Sequence, residues 1–216
     1  MEINPFLNKP TGKPHKFFEK YLDNDLEDLS RFLQKQYVDM ENLKLKGNTQ
    51  VDQKDFWLSS ASVSTIKWRE YNVFQFYHGG IYSLYKSISD TVKEACEYYD
   101  IDFNKQRYMI QGWFNINYNH SGKLDWHDHG GPYAPYFHGY YCVNAEPSTT
   151  YYRVFDNQVD NHNKNNRMIL SEMGHPHAMG DWDWEGPRVT IAYDIMPLES
   201  IINSDAAQQH WIPLLW

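Results

Sequence analysis

The residues best equipped for chemistry are two His-x-His pairs, His127/His129 and His175/His177, and an arginine, Arg188, that follows them. On an extended strand, residues two apart project to the same face. His127 and His129 can thus present two imidazoles side by side, with Asp125 on that face and Asp128 on the other. A third imidazole from a distant segment would close a facial N/N/N or N/N/O set, which suits Fe(II) and leaves coordination positions open. Pro176 biases His175 towards an extended conformation, so one member of the second pair is expected to face the metal. Arg188 opens a strand-like run, Arg188-Val189-Thr190-Ile191-Ala192-Tyr193, in which Arg188 and Thr190 share a face. A forked guanidinium beside a hydroxyl is suited to clamping a carboxylate bidentately.

The elements that must hold these groups in place are strands. Tyr108, Ile110, Gly112, Phe114, Ile116 and Tyr118 alternate with Met109, Gln111, Trp113, Asn115 and Asn117, the period of a β-strand. A turn at Asn119–Gly122 leads to the His127/His129 strand, and Gly130-Gly131-Pro132 ends it. Strands follow at 139–143, 149–155, 168–170 and 188–195. The Asn/Asp-rich stretch 156–166 reads as a solvated loop.

Helices belong to the first half. One pattern starts at Asn24, a suitable N-cap, with Leu26, Leu29, Phe32 and Leu33 at spacings of three and four; residues 39–55 are polar and turn-rich. Residues 56–66 fit either a strand pair or a loop edge. A second helix follows Gly79-Gly80, with Tyr82, Tyr85, Ile88, Val92, Cys96 and Tyr99 on one face. An apolar stripe of this kind packs against a sheet and carries no chemistry. The pattern predicts a mainly β protein, a sandwich or barrel buttressed by N-terminal helices. It divides into a helical support at 1–105, a β core with the metal site at 106–197, and a tail at 198–216, all within a single domain, 1–216.

Composition narrows the function. The 216 residues carry a net charge of −8, no Lys/Arg run and 17% aromatic residues. Nucleic acid is therefore excluded as the main partner, since phosphate binding needs clustered cations. No apolar run reaches the roughly 20 residues of a membrane helix, and no basic-then-apolar leader is visible at the N-terminus. Two cysteines, Cys96 and Cys142, without a CxxC fit a reduced, cytoplasmic protein. The apolar tail Trp211–Trp216 is expected to pack back onto the domain or to form a self-association surface, such as that of a homodimer. Trp182 and Trp184, between His177 and Arg188, are expected to line the mouth of a site.

In order and spacing, these motifs resemble the Fe(II)/2-oxoglutarate-dependent oxygenase superfamily: His-x-(His/Asp), a distal His some 50 residues on, then Arg-x-Ser/Thr. More narrowly, Trp113-x-Asn115, His127-x-His129, Gly139-Tyr140-Tyr141 and His177 with Arg188 resemble prolyl-4-hydroxylase-like members of bacteria and phages. The resemblance covers about residues 107–195. It implies a double-stranded β-helix, or jelly-roll barrel, with Fe(II) held by His127 and His177 at one mouth. It also implies 2-oxoglutarate held through Arg188 and Thr190 with Asn115 nearby, O2 as co-substrate, and hydroxylation of a peptide or small molecule. One position departs from the pattern: His129 stands where the superfamily has Asp or Glu. Either His129 is the third ligand, or Asp125 supplies a carboxylate from the other side of His127, or the site has two histidines and an open position. A cupin-type metal enzyme and a non-catalytic β-barrel binding protein with a structural metal remain as alternatives.

Overall fold

In the computed structural model, residues 13–43, 62–68, 70–118, 124–129, 136–172, 175–202, 207 and 209–215 are described. Two antiparallel sheets face each other. The larger has the order β1 (Phe18–Tyr21), β8 (Arg167–Glu172), β5 (Phe137–Asn144), β10 (Arg188–Pro197), β3 (Tyr108–Asn117) and β11 (Ile212–Pro213), with β2 (Ser62–Ser64) also paired to β3. The smaller has the order β4 (Leu124–His127), β9 (His177–Met179), β6 (Thr149–Val154) and β7 (Asn157–His162). Helices are few: α1 (Leu26–Leu43), α2 (Gly79–Tyr98) and the short α3 (Leu198–Ile202). The chain crosses repeatedly between the sheets, and the fold is the expected double-stranded β-helix with helical support.

The two faces of the large sheet bury different chemistry. Along β3, Ile110, Phe114 and Ile116 point to one side; along β10, Val189, Ile191, Tyr193 and Ile195 do the same; β5 adds Phe137, Tyr141 and Val143. They meet Leu29 and Leu33 of α1 and Ile81, Leu84, Ile88, Val92 and Cys96 of α2. The alternate residues Trp113, Tyr140, Cys142, Ile169 and Ala192 turn inwards and meet Tyr152 and Val154 of the small sheet. A Cβ on Gly139 would sit 2.3 Å from the Ile169 carbonyl and 2.5 Å from the Tyr193 hydroxyl, so only glycine fits.

Several elements differ from their sequence patterns. Asp25, not Asn24, caps α1, its carboxylate accepting from the Asp28 amide at 3.0 Å. Asn24 instead donates to the Tyr141 hydroxyl. The helix runs on to Leu43 through residues that read as polar, because Tyr37 and Met40 still pack on the core. Gly79 and Gly80 lie inside the first turn of α2, whose cap is His78. Tyr82 is exposed, and Ile81 and Leu84 take the buried face with Ile88 and Val92. The Asn/Asp-rich stretch is not a loop: residues 157–162 form β7, a sheet-edge strand in full antiparallel register with β6. Of the stretch 56–66, the described part forms β2 and the start of a 3-10 turn. The turn at 119–122 and the Gly130-Gly131-Pro132 break lie outside the described residues.

The tail does pack back. β11 pairs with β3, and the buried Asn72 amide donates to the carbonyls of both Ile110 and His210. Tyr85 and Ser89 of α2 donate to the Pro213 and Leu215 carbonyls.

Candidate metal centre

Strand register assembles the site in two facing rows. In the small sheet, His127 is directly opposite His177, and His177 is opposite Tyr152. In the large sheet, Asp194 lies between Gln111 and His138, and His138 lies opposite Ser171. His129, just beyond the end of β4, bridges the rows. One nitrogen from each of His127, His129 and His177 falls within 4.8 Å of the other two. The His127 and His177 ring centroids are 4.3 Å apart, and those of His129 and His177 are 5.2 Å apart.

A fourth imidazole and a carboxylate, neither evident in the sequence, complete the cluster. Asp194 accepts from His129 Nδ1 at 2.9 Å through one oxygen and from His138 Nδ1 at 2.7 Å through the other. The His138 ring lies 4.0 Å from that of His129 and 4.8 Å from that of His177. Trp113 stacks on His129 at 5.6 Å. Burial opposes ionisation of Asp194, but His129 and His138 outweigh it and hold the carboxyl well below the usual range. Burial would lower His129, yet the Asp194 charge and hydrogen bond raise it. His138 is pushed down to about 4 by burial and by the neighbouring His129. Burial first, and the adjacent imidazoles second, depress His177 strongly. Burial likewise lowers His127. A neutral imidazole whose Nδ1 is held by an acceptor is oriented to ligate a metal through Nε2. His127 Nδ1 lies 2.9 Å from the Asp125 carbonyl and His177 Nδ1 lies 3.4 Å from that of His175. Asp125 itself is exposed, and among the described residues it is grouped with no set of histidine nitrogens.

Further along the barrel, the inward face of β10 carries Thr190 and Arg188, opposite Asn115 and Asn117 of β3. Arg188 is buried, with Nε donating to Ser148 Oγ at 3.0 Å and Nη1 to Asn117 Oδ1 at 3.4 Å. Among the described residues no carboxylate pairs with it. Burial lowers its pKa from the usual value. Ser148 is held in turn by Asn163, which also bonds Thr150 and accepts from the Tyr140 hydroxyl at 2.9 Å. Thr190 is buried and Asn115 half-buried, neighbours across the β3–β10 pair. Two buried polar atoms in the rows above, Tyr152 Oη and Gln111 Oε1, have no partner among the described residues.

Of the tryptophans expected at the mouth, Trp182 is buried and donates to the Gly186 carbonyl, while Trp184 is exposed. The two His-x-His pairs behave differently. His127 and His129 converge, whereas His175 turns away from His177 towards Glu172.

No protein-family model matches the sequence, and neither does any curated protein. Solved structures do match in fold. A prolyl-4-hydroxylase from Pseudomonas putida aligns over 84% of this chain and 93% of its own, at 10% identity and TM-score 0.56. A prolyl hydroxylase from Trichoplax adhaerens, in complex with a hypoxia-inducible-factor peptide fragment, aligns over 94% and 91%, at 10% identity and TM-score 0.56. The α-ketoglutarate-dependent carbocyclase SnoK of nogalamycin biosynthesis aligns over 84% and 79%, at 11% identity and TM-score 0.52. Two other matched chains are spanned over only 50% and 45% of their length. The fold is thus the double-stranded β-helix seen in Fe(II)/2-oxoglutarate oxygenases, and the chain adds to it a candidate group of histidine metal ligands. No helix among the described residues is long and apolar enough to cross a membrane.

Proposed function

We propose that this chain is a non-haem Fe(II)- and 2-oxoglutarate-dependent dioxygenase, a hydroxylase acting on a peptide or small molecule. The observation that carries the proposal is a buried Arg188 without an anionic partner among the described residues, on the inward face of the strand whose Asp194 supports the histidine cluster. An uncompensated buried guanidinium is costly unless an anion completes it. The donor set also fits: three histidine nitrogens lie within 4.8 Å of one another, and the Tyr152 and Gln111 oxygens of the same two strand rows are without a partner among the described residues.

In this reading His127, His129 and His177 hold the iron. Bound Fe(II), with 2-oxoglutarate and O2, supplies the oxidising power for hydroxylating a C–H bond, with release of succinate and CO2. The protein's own work is positional. Asp194 fixes the His129 ring through Nδ1 and leaves Nε2 directed at the metal. Its negative charge replaces, one bond further out, the carboxylate that the superfamily places at the position of His129. Arg188, oriented by Ser148 and Asn117, grips the distal carboxylate of 2-oxoglutarate, with Thr190 and Asn115 alongside. Trp113, Tyr140 and Ile169, packed in the inner apolar cluster, would shield the site from water.

The deciding experiment is an anaerobic titration of Fe(II)-loaded protein with 2-oxoglutarate, read as the visible metal-to-ligand charge-transfer band. The band is expected in the wild type and lost, together with bound iron, in His177→Ala. If folded, iron-replete wild type gives no band, a closed site with His138 as fourth ligand, serving structure rather than catalysis, becomes the better reading.

A further inference from the structure

Outside the barrel, His15, Glu172 and His175 form a second convergence of ligand types. His15 lies in the segment leading into β1, Glu172 ends β8, and His175 precedes β9. One ligand atom from each falls within 4.8 Å of the other two. His15 Nδ1 donates to Glu172 Oε1 at 2.8 Å, and His175 Nε2 lies 3.7 Å from the same oxygen. The two imidazole centroids are 4.3 Å apart, edge to face. The side chains of His15, Glu172 and His175 are 5%, 18% and 13% exposed.

A surface ion pair does not look like this. Buried imidazoles ordinarily spend both nitrogens on partners, yet His15 Nε2 is buried with none among the described residues. Two nitrogens and one carboxylate oxygen around a common point are the donor set of a borderline divalent cation such as Zn2+. Ligands about 2.0–2.1 Å from such an ion sit roughly 3.3 Å apart, so side-chain rotation alone would close the set. The three residues come from sequence positions 15, 172 and 175. An ion there would therefore tie the N-terminal segment to the connection that delivers His177, whose Nδ1 faces the His175 carbonyl.

We propose that His15, Glu172 and His175 bind a second divalent transition-metal ion, separate from the barrel histidines, that braces the start of β9. The assignment does not depend on the barrel site being an oxygenase centre. The test is metal stoichiometry on the chelator-stripped full chain, using Zn2+ and, for its ligand-field spectrum, Co2+. Wild type should take up two equivalents. The double variant His127→Ala/His177→Ala should keep one, and adding Glu172→Gln or His15→Ala should remove it. Glu172→Gln alone, which preserves shape, should lose one equivalent and keep the barrel ion. A single equivalent in wild type that vanishes with the barrel histidines would overturn the second site and leave the oxygenase reading intact. A single equivalent that vanishes only with Glu172→Gln would do the reverse. Retention of two equivalents by Glu172→Gln and by His15→Ala would also overturn the proposal.

Discussion

The same three strands, β3, β5 and β10, build an apolar interface on one face and a polar, titratable chamber on the other. Outwards, Phe114, Ile191 and Tyr141 meet two amphipathic helices in a continuous apolar layer. Inwards, Asp194, His138, Arg188 and Asn117 are equally buried. Beside them, among the described residues, the Tyr152 hydroxyl and the Gln111 side-chain carbonyl oxygen are buried without a hydrogen-bond partner and Arg188 has no carboxylate, which leaves something else to complete them. The difference teaches where function sits in this architecture. The outer face holds the stability that lets the inner face keep groups a self-contained core would not tolerate.

The comparison breaks most visibly if the two faces do not separate on mutation. Phe114→Ala, on the outer face, should cost about 3–5 kcal/mol. In a chain this size that lowers the thermal midpoint by roughly 6–20 °C. Iron affinity of the molecules that remain folded should be unchanged. A variant of normal midpoint that fails to hold iron would show that the layers are coupled.

Arg188→Met inverts those expectations. Removing one partner of a buried charge pair costs about 2–5 kcal/mol of binding, roughly 30-fold to several thousand-fold in 2-oxoglutarate affinity. The ligand-free protein should be as stable as wild type or more so, since a buried guanidinium with no counter-charge among the described residues is replaced by an apolar chain of similar length. Calorimetric titration paired with thermal melts tests both halves. A midpoint lowered by many degrees would mean that Arg188 is a structural residue bonded to Ser148 and nothing more.

Asp194→Asn probes a smaller effect. The amide keeps the shape but loses the charge and one of the two acceptor oxygens facing His129 and His138. Loss of such outer support typically weakens metal binding by about 10–100-fold. Competition with a chelator should reveal that drop, whereas Arg188→Met should leave iron affinity alone. An Asp194→Asn protein with wild-type iron affinity would argue that His129 needs no orienting partner.

The outer face was legible because helix and strand periodicities are local signals, and the strands that became β3, β5, β8 and β10 stood out as alternating or apolar runs. β7 did not: an edge strand with most of its side chains exposed has no apolar pattern, and Asn and Asp then mimic a loop. Tyr82 and Tyr85 suggested the wrong angle for the α2 face, because a tyrosine can lie flat at a rim while Ile81 and Leu84 point in. In the chamber, His127, His129 and His177 were findable by type and spacing. His138 and Asp194 were not, since only strand register joins positions 56 residues apart. Their one trace was a polar residue inside an otherwise apolar strand, Phe137-His138-Gly139 and Tyr193-Asp194-Ile195. His15 and Glu172 carried no trace, being single residues in segments with no partner motif.

The two cysteines allow the finest test, because one lines each face. Cys96 lies in the outer core against the Tyr108 hydroxyl, and Cys142 lies on the chamber wall near Asn163. Burial pushes both thiols up to about 11. At pH 8 only about one part in a thousand is therefore thiolate, the reactive form. Labelling by an alkylating reagent, followed by mass spectrometry, should be slow at both sites and should rise about tenfold per pH unit below 11 while the fold holds. Filling the chamber with Fe(II) and 2-oxoglutarate should slow Cys142 further, because local opening of the barrel wall would then have to expel ligand. Cys96 should respond only as much as global unfolding does. Equal protection of both cysteines would mean that the two faces open together as one cooperative unit, and that the division between them lies in chemistry but not in dynamics.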